Sequence, residues 1–354
     1  MAFSKSFYLL NFLNSTKINT LLADLLLVNM EEINWGIIGC GDVTEVKSGP
    51  AFNKIPNSKL VAVMRRDAQK AKDYATRHQV PKWYANADEL INDPAVNAIY
   101  IATPPSSHTE YALKAMAAGK PVYVEKPMAL SYHDGKQMVD AANANDVKLV
   151  IAHYRREQPF FLKIKSLIDE NSIGKIRLVN LSFLQPSNND VIAKSEANWR
   201  IDPSISGGGL FHDMAPHQLD LMLYFFGEVE RCGGLSTSTT NSIADDLVTG
   251  QIQFKNNTIF NGTWCFNVAK ADTTDQCEIY GESGKISFPI FGNQLSLTQN
   301  DQTTIYEAEA LAHVQQPMIA KVVAYFLGNA ENPCKGETAL ETMKLLDAFT
   351  QKQS

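Results

Sequence analysis

"NWGIIGCGDVT", Asn34 to Thr44, decides how the first half of the chain folds. A short apolar run ends in Gly39-x-Gly41-x-x-Thr44 and leads into a stretch of helical composition. Gly39 permits a tight turn, and Gly41 lets backbone come close to a ligand. A helix starting behind such a turn, with Asp42 and Val43 in its first residues, offers unpaired N–H groups to a pyrophosphate. Thr44 replaces the third glycine of the usual fingerprint. The position of the turn, at the head of a strand–helix unit, is therefore what points to a dinucleotide.

Outward from that turn, "KLVAVM", Lys82–Tyr84, "NAIYIAT", "PVYVE" and "KLVIAH" alternate with helical stretches such as "DAQKAKDYATRHQ" and "SHTEYALKAMAAG". Apolar strands alternating with helices predict a doubly wound parallel sheet, a dinucleotide-binding α/β domain over residues 33–153. Residues 154–354 have a different texture. After one helix, "IRLVNLSF", "LVTGQIQF", "NTIFNGTWCF", "DQCEIYG" and "GKISFP" are bounded by Gly, Asn and Thr. They predict an α+β domain with an open, mainly antiparallel sheet, closed by helices near 319–328 and 337–351. "GQIQF", "TIFNGTWCF" and "CEIY" read as apolar on both sheet faces, which would leave one face to be covered in a homodimer. Residues 1–32 read as an N-terminal extension outside the fold, with Met30 as an alternative start.

Composition narrows the function. The net charge of -6 provides no basic stripe for nucleic acid. No apolar run approaches the roughly 20 residues of a membrane span. Five cysteines, odd in number and never in a CxxC pair, read as reduced thiols of a cytoplasmic chain.

Ligands of such sheets bind at the carboxyl ends of the strands. The second strand ends in Arg65 and Arg66, where an NAD enzyme carries an acid; two guanidiniums suit a 2′-phosphate, so NADP is favoured and NAD possible. Asp67 reads as the cap of the following helix. "TPPSSH" puts Thr103, Pro104, Pro105 and His108 at the fourth strand's end, and "EKP" puts Glu125 and Lys126 at the fifth's. In "GGGLFHDMAPHQLD", Gly207–Asp220, three glycines precede a helix expected to begin near Asp213 as its N-cap, because Pro216 is accepted only in a first turn. Asp213 and His217, four apart, then share a face. The positive helix end would keep His217 neutral, while Asp213 opposes that shift and orients the ring. His212 and His217, five apart, do not share a helix face, so no metal site is expected.

"GCGDVT", "ATPPSSH", "AGKPVYVEKPMAL" and "GGGLFHDMAPHQLD", in this order, resemble the Gfo/Idh/MocA oxidoreductases from Ile33 to the C-terminus. Ala215 stands where that family often has glycine. The resemblance implies hydride transfer between a nicotinamide and a CH–OH carbon, with Lys126, Asp213 and His217 around the reacting atoms. His217 would take the hydroxyl proton and Lys126 would steady the alkoxide. Tyr154, Arg155, Arg156, Trp199 and Arg200 read as substrate contacts suited to a sugar, cyclitol or similar small polyol. The alternatives are an NAD-dependent glycoside hydrolase of the same family, and a nucleotide-binding sensor without turnover. The presence of Lys126, Asp213 and His217 speaks against the sensor. The loops over residues 185–206 and 241–246 are expected to shape the pocket.

Overall fold

Six strands form a parallel sheet: β1 (Ile33–Ile38), β2 (Ser58–Met64), β3 (Lys82–Tyr84), β4 (Ala98–Ile101), β5 (Val122–Val124) and β6 (Leu149–Ile151), in the order β3-β2-β1-β4-β5-β6. The computed structural model describes residues 30–187, 199–240 and 243–350. β4, β5 and β6 are buried throughout, as strands covered by helices on both faces must be. The order reverses between β1 and β4, so the turns after these two strands diverge and open a crevice at their carboxyl ends. Residues 30–32 join this domain rather than the extension: Met30 packs on the core and Asn97 donates to the Glu32 carbonyl at 2.9 Å.

The second sheet has eight strands: β7 (Ile176–Leu184), β8 (Val229–Thr237), β9 (Leu247–Phe254), β10 (Ile259–Cys265), β11 (Thr274–Gly281), β12 (Gly284–Phe288), β13 (Gln294–Gln299) and β14 (Gln302–Glu307). It is antiparallel except where β10 runs parallel to β7. Its inner face packs Phe254, Phe260 and Trp264 against the helices Gly209–Phe226 and Gly336–Phe349, with Phe211 5.2 Å and Phe349 6.0 Å from the Trp264 ring.

The outer face corrects the expectation of apolar residues on both sides. Ile252 and Phe254 point inward, which turns Gln251 and Gln253 outward by the period of two. Gln251 donates to Asn261 at 2.9 Å, and Asn261 donates to Asn180 at 3.2 Å, so a ladder of amides crosses three strands. A dimer through this face would meet mostly polar surface.

The last two helices return to the first domain. Phe326, at the end of the helix Gln316–Phe326, lies 5.6 Å from Trp35 under β1, and the buried Gln315 and Tyr123 hydroxyl meet at 3.3 Å. These contacts bring the second domain against the crevice.

Candidate active site

A cleft of about 870 Å³ runs from the turn after β1 to the helix Gly209–Phe226. At its nucleotide end, Gly39 has φ +93°, and a Cβ there would lie 2.7 Å from the backbone nitrogen of Thr103, so the turns after β1 and β4 cross at a separation only glycine allows. Gly41 begins the short helix Asp42–Val46 without a side-chain cap, and a Cβ on it would meet nothing nearer than 3.9 Å. Thr103 Oγ1 is buried without a partner among the described residues. An open glycine cradle beside an unsatisfied hydroxyl suits a dinucleotide.

Arg65 and Arg66 line the cleft just beyond β2, and Arg65 Nη1 reaches the Cys40 carbonyl at 3.4 Å. Asp67 is occupied elsewhere, since it accepts from Gln69 N and Lys70 N as the cap of the next helix. Asp42, Val43, Pro104 and Pro105 also line the cleft. His108, expected to touch cofactor, is instead buried beneath it, with Nδ1 3.0 Å from the Pro127 carbonyl and Nε2 2.7 Å from that of Thr103. It ties together the two turns that carry the site. Glu125 lines the cleft as a buried hub: Tyr100 Oη and Gln315 Nε2 each donate to it at 2.6 Å.

At the other end, Lys126 Nζ donates to Asp213 Oδ1 at 3.0 Å and to its carbonyl at 2.9 Å, while Arg200 Nε donates to Oδ2 at 3.1 Å. Burial pushes the Asp213 carboxyl up, but Lys126 and Arg200 more than offset this and hold it below the usual carboxylate range. For His217, burial is the main cause and the Lys126 and Arg155 charges add to it, so its pKa falls well below the ordinary histidine value. The imidazole is neutral at working pH. Its ring lies edge-on to Tyr154 at 5.4 Å and to Phe291 at 5.6 Å, and Nδ1 is buried with no partner among the described residues.

Three expectations are corrected here. The helix starts at Gly209, so Asp213 lies inside it rather than capping it, and Pro216 stands mid-helix. Nearly every residue from Gly209 to Phe226 is buried, and that packing holds a helix which the proline rule alone would have begun later. His217 is two turns beyond the helix start, outside the reach of the dipole, so desolvation and cations keep it neutral instead. Asp213 spends its oxygens on Lys126 and Arg200 and does not orient the ring, which is held by two aromatic faces. The glycines serve close passage: a Cβ on Gly208 would lie 2.1 Å from the His212 ring, and one on Gly209 would lie 2.4 Å from Ala244 Cβ.

Tyr154, Arg155, Trp199 and Arg200 line the same cleft, but Arg156 does not. It is buried behind the site in a two-pronged pair with Asp220, Nε–Oδ2 2.8 Å and Nη2–Oδ1 2.7 Å. His153 Nδ1 approaches the same carboxylate at 3.6 Å. Lys47, Phe291 and Val314 also line the cleft, and nothing in the sequence marked them. Phe291 arrives from the β12–β13 connection and Val314 from the segment before the last helices, so only the tertiary fold brings them in. Of the expected pocket loops, residues 188–198 and 241–242 lie outside the described residues. Among the described residues, no group of three or more His, Cys, Asp or Glu is placed to hold a metal ion.

The buried histidines make stability depend on pH. Burial holds His108 and His153 at about 4, against an ordinary value of about 6.5. Below the ordinary value the unfolded chain takes up protons that the native state refuses, so stability is complete above pH ~6.5 and is lost as pH falls toward ~4. Each site contributes on the order of 3 kcal/mol by its shift. Urea midpoints measured from pH ~7 to ~4.5 should therefore drop steeply, and a flat series would refute these assignments.

Comparison with known proteins agrees with this architecture. Residues 33–153 match the family model "Oxidoreductase family, NAD-binding Rossmann fold", and residues 161–287 match "GFO/IDH/MocA C-terminal domain". Oxidoreductase P35 of Formosa agariphila is 50% identical over 317 residues, covering 90% of this chain and 98% of that protein. The 1,5-anhydro-D-fructose reductase of Ensifer adhaerens is 26% identical over 294 residues, covering 80% and 82% of the two chains. A levoglucosan dehydrogenase solved with NADH and levoglucosan shares the fold, with TM-score 0.81 at 21% identity and coverage of 91% and 96%. On the two matched domains and the extended likeness to an oxidoreductase, this chain belongs to the Gfo/Idh/MocA family of NAD-binding oxidoreductases.

Proposed function

We propose that this oxidoreductase uses NADP by preference and acts on a hydroxyl-bearing carbon of a sugar, cyclitol or similar small polyol. The observation that carries the reading is that Lys126, Asp213 and a neutral His217 share one cleft with the glycine turn and the paired Arg65 and Arg66. Gly39, Gly41, Thr103 and the two arginines would hold the dinucleotide, which supplies the hydride acceptor or donor when bound. His217 takes the substrate hydroxyl proton in oxidation and returns it in reduction, as a neutral ring in a dry site is suited to do. Lys126 faces the developing alkoxide, and its bond to Asp213 holds the ammonium in place. Tyr154 and Trp199 offer apolar faces to a ring, and relatives named for 1,5-anhydro-D-fructose and levoglucosan support this class of substrate. The five free cysteines suit a reducing, cytoplasmic setting.

The test is the cofactor. Nicotinamide fluorescence titrations should show NADPH bound at least about tenfold more tightly than NADH, because a 2′-phosphate gains charge-assisted bonds from Arg65 and Arg66. Arg65→Asp should move the preference toward NADH. Equal affinity for both nucleotides in the unaltered protein would remove the NADP assignment, and binding of neither would remove the enzyme mechanism.

A further inference from the structure

The substrate end of the cleft holds more positive charge than a neutral polyol requires. Its described lining carries Lys47, Lys126, Arg155 and Arg200 against the carboxylates Asp213 and Glu125. Lys126 and Arg200 both spend themselves on Asp213. Glu125 is occupied by Tyr100, Gln315 and the Lys126 backbone N–H. Lys47 and Arg155 are left without a carboxylate at ion-pair distance among the described residues.

Arg155 is the telling one. It is only 8% exposed, yet its Nη1 meets just the Ile290 carbonyl at 2.7 Å, and its Nε is buried with no partner. The guanidinium lies 4.4 Å from the Phe291 ring centre and 5.6 Å from that of Tyr154, so it is held between aromatic side chains in the wall that also carries His217. The carboxylate whose charge reaches it is Asp275, which accepts from Ile290 N and Phe291 N at 3.0 and 2.7 Å and so serves the backbone of that wall. A buried, rigid fork with a free N–H is costly alone and matches the planar geometry of a carboxylate. Lys47 adds an exposed point charge at the same end, close enough that both cations act on His217.

We propose that the substrate of this cleft is a sugar acid, with its carboxylate received by Arg155 and Lys47 while a hydroxyl on another carbon reaches Lys126 and His217. The proposal rests on the oxidoreductase reading above and narrows its substrate. In the oxidation the carboxylate is untouched. The carbon's hydrogen would leave with its electron pair as hydride to a bound nicotinamide, the O–H proton would go to His217, and the oxygen's freed pair would complete the C=O bond.

The experiment compares D-gluconate and D-glucuronate with D-glucose and myo-inositol, and adds D-glucose 6-phosphate as a second anion. Binding is read by calorimetry on the full chain saturated with NADPH, and initial rates are read with NADP and NAD. At least one of the two sugar acids should bind about tenfold or more tightly than its neutral counterpart, as charge-assisted hydrogen bonds do. That preference should shrink as salt rises from about 50 to about 500 mM. Arg155→Met and Lys47→Met should each lower the acid-to-neutral ratio toward one. A merely structural Arg155 would lower both affinities together and leave the ratio unchanged, which would overturn its role. Equal binding of acids and neutral polyols, preference for the phosphate ester, or failure of both acids to bind the nicotinamide-loaded protein would each overturn the proposal while leaving the oxidoreductase reading intact. Failure of both NADPH and NADH to bind would sink both.

Discussion

Replacing His217 with Asn lowers kcat for alcohol oxidation by about 10²–10⁴-fold, the usual contribution of a positioned general base, while NADPH binding stays within about twofold. The residues proposed to hold the cofactor, Gly39, Gly41 and Arg65, lie at the other end of the cleft, and the ring is held by Tyr154 and Phe291, so a smaller polar side chain leaves the cleft standing. The pH profile is part of the same expectation. Because burial and the neighbouring cations hold the His217 pKa well below 6.5, the ring stays in its proton-accepting form at pH ~6. The acid limb of kcat/KM should therefore lie well below the position an ordinary histidine gives. Steady-state rates from pH ~5 to ~9 on both proteins decide this. An unchanged kcat in the variant would hand the proton to another group.

The second large effect is on stability. Asp220→Asn leaves the Arg156 guanidinium buried against a neutral amide and removes the carboxylate 3.6 Å from His153. Breaking one side of such a buried pair costs about 3–5 kcal/mol, because the surviving charge stays desolvated. Replacing both partners, as Arg156→Met with Asp220→Leu, should recover most of that loss. Denaturant titrations of the single and double variants provide the comparison. If the two are equally destabilised, the ion pair is not what the site depends on. The distinction bears on function, since Arg156 follows the cleft-lining Arg155 by one residue and the 3₁₀ turn Tyr154–Glu157 sends them in opposite directions.

That turn shows where sequence reading stops. "HYRRE" names two adjacent arginines with nothing to separate them, yet one lines the cleft and the other closes a buried pair. Similarly, the four-residue spacing of Asp213 and His217 was enough to put both on the cleft, but the roles assigned to them changed. Local rules placed a helix start at Asp213, whereas burial of the whole segment runs the helix from Gly209 through Pro216. The outer sheet face shows the same limit: Ile259 and Cys265 sit among Asn261 and Thr263, and strand alternation within the folded sheet decides which side each takes.

The resemblance to a known family singled out Lys126, Asp213 and His217; by itself, the sequence determined the parallel sheet, the order of its strands and helices, the glycine turn, the cap at Asp67 and the antiparallel second sheet. These depend on periodicity, turn chemistry and short spacing, which are properties of neighbouring residues. Only the tertiary structure decided that Asp213 is gripped from both sides by Lys126 and Arg200, that Phe291 walls His217, that His108 lies beneath the site, and that Arg155 is held as a charge with an unpaired N–H. Those facts come from contacts between segments far apart in the chain, where burial, packing and the field of distant charges set what each group can do.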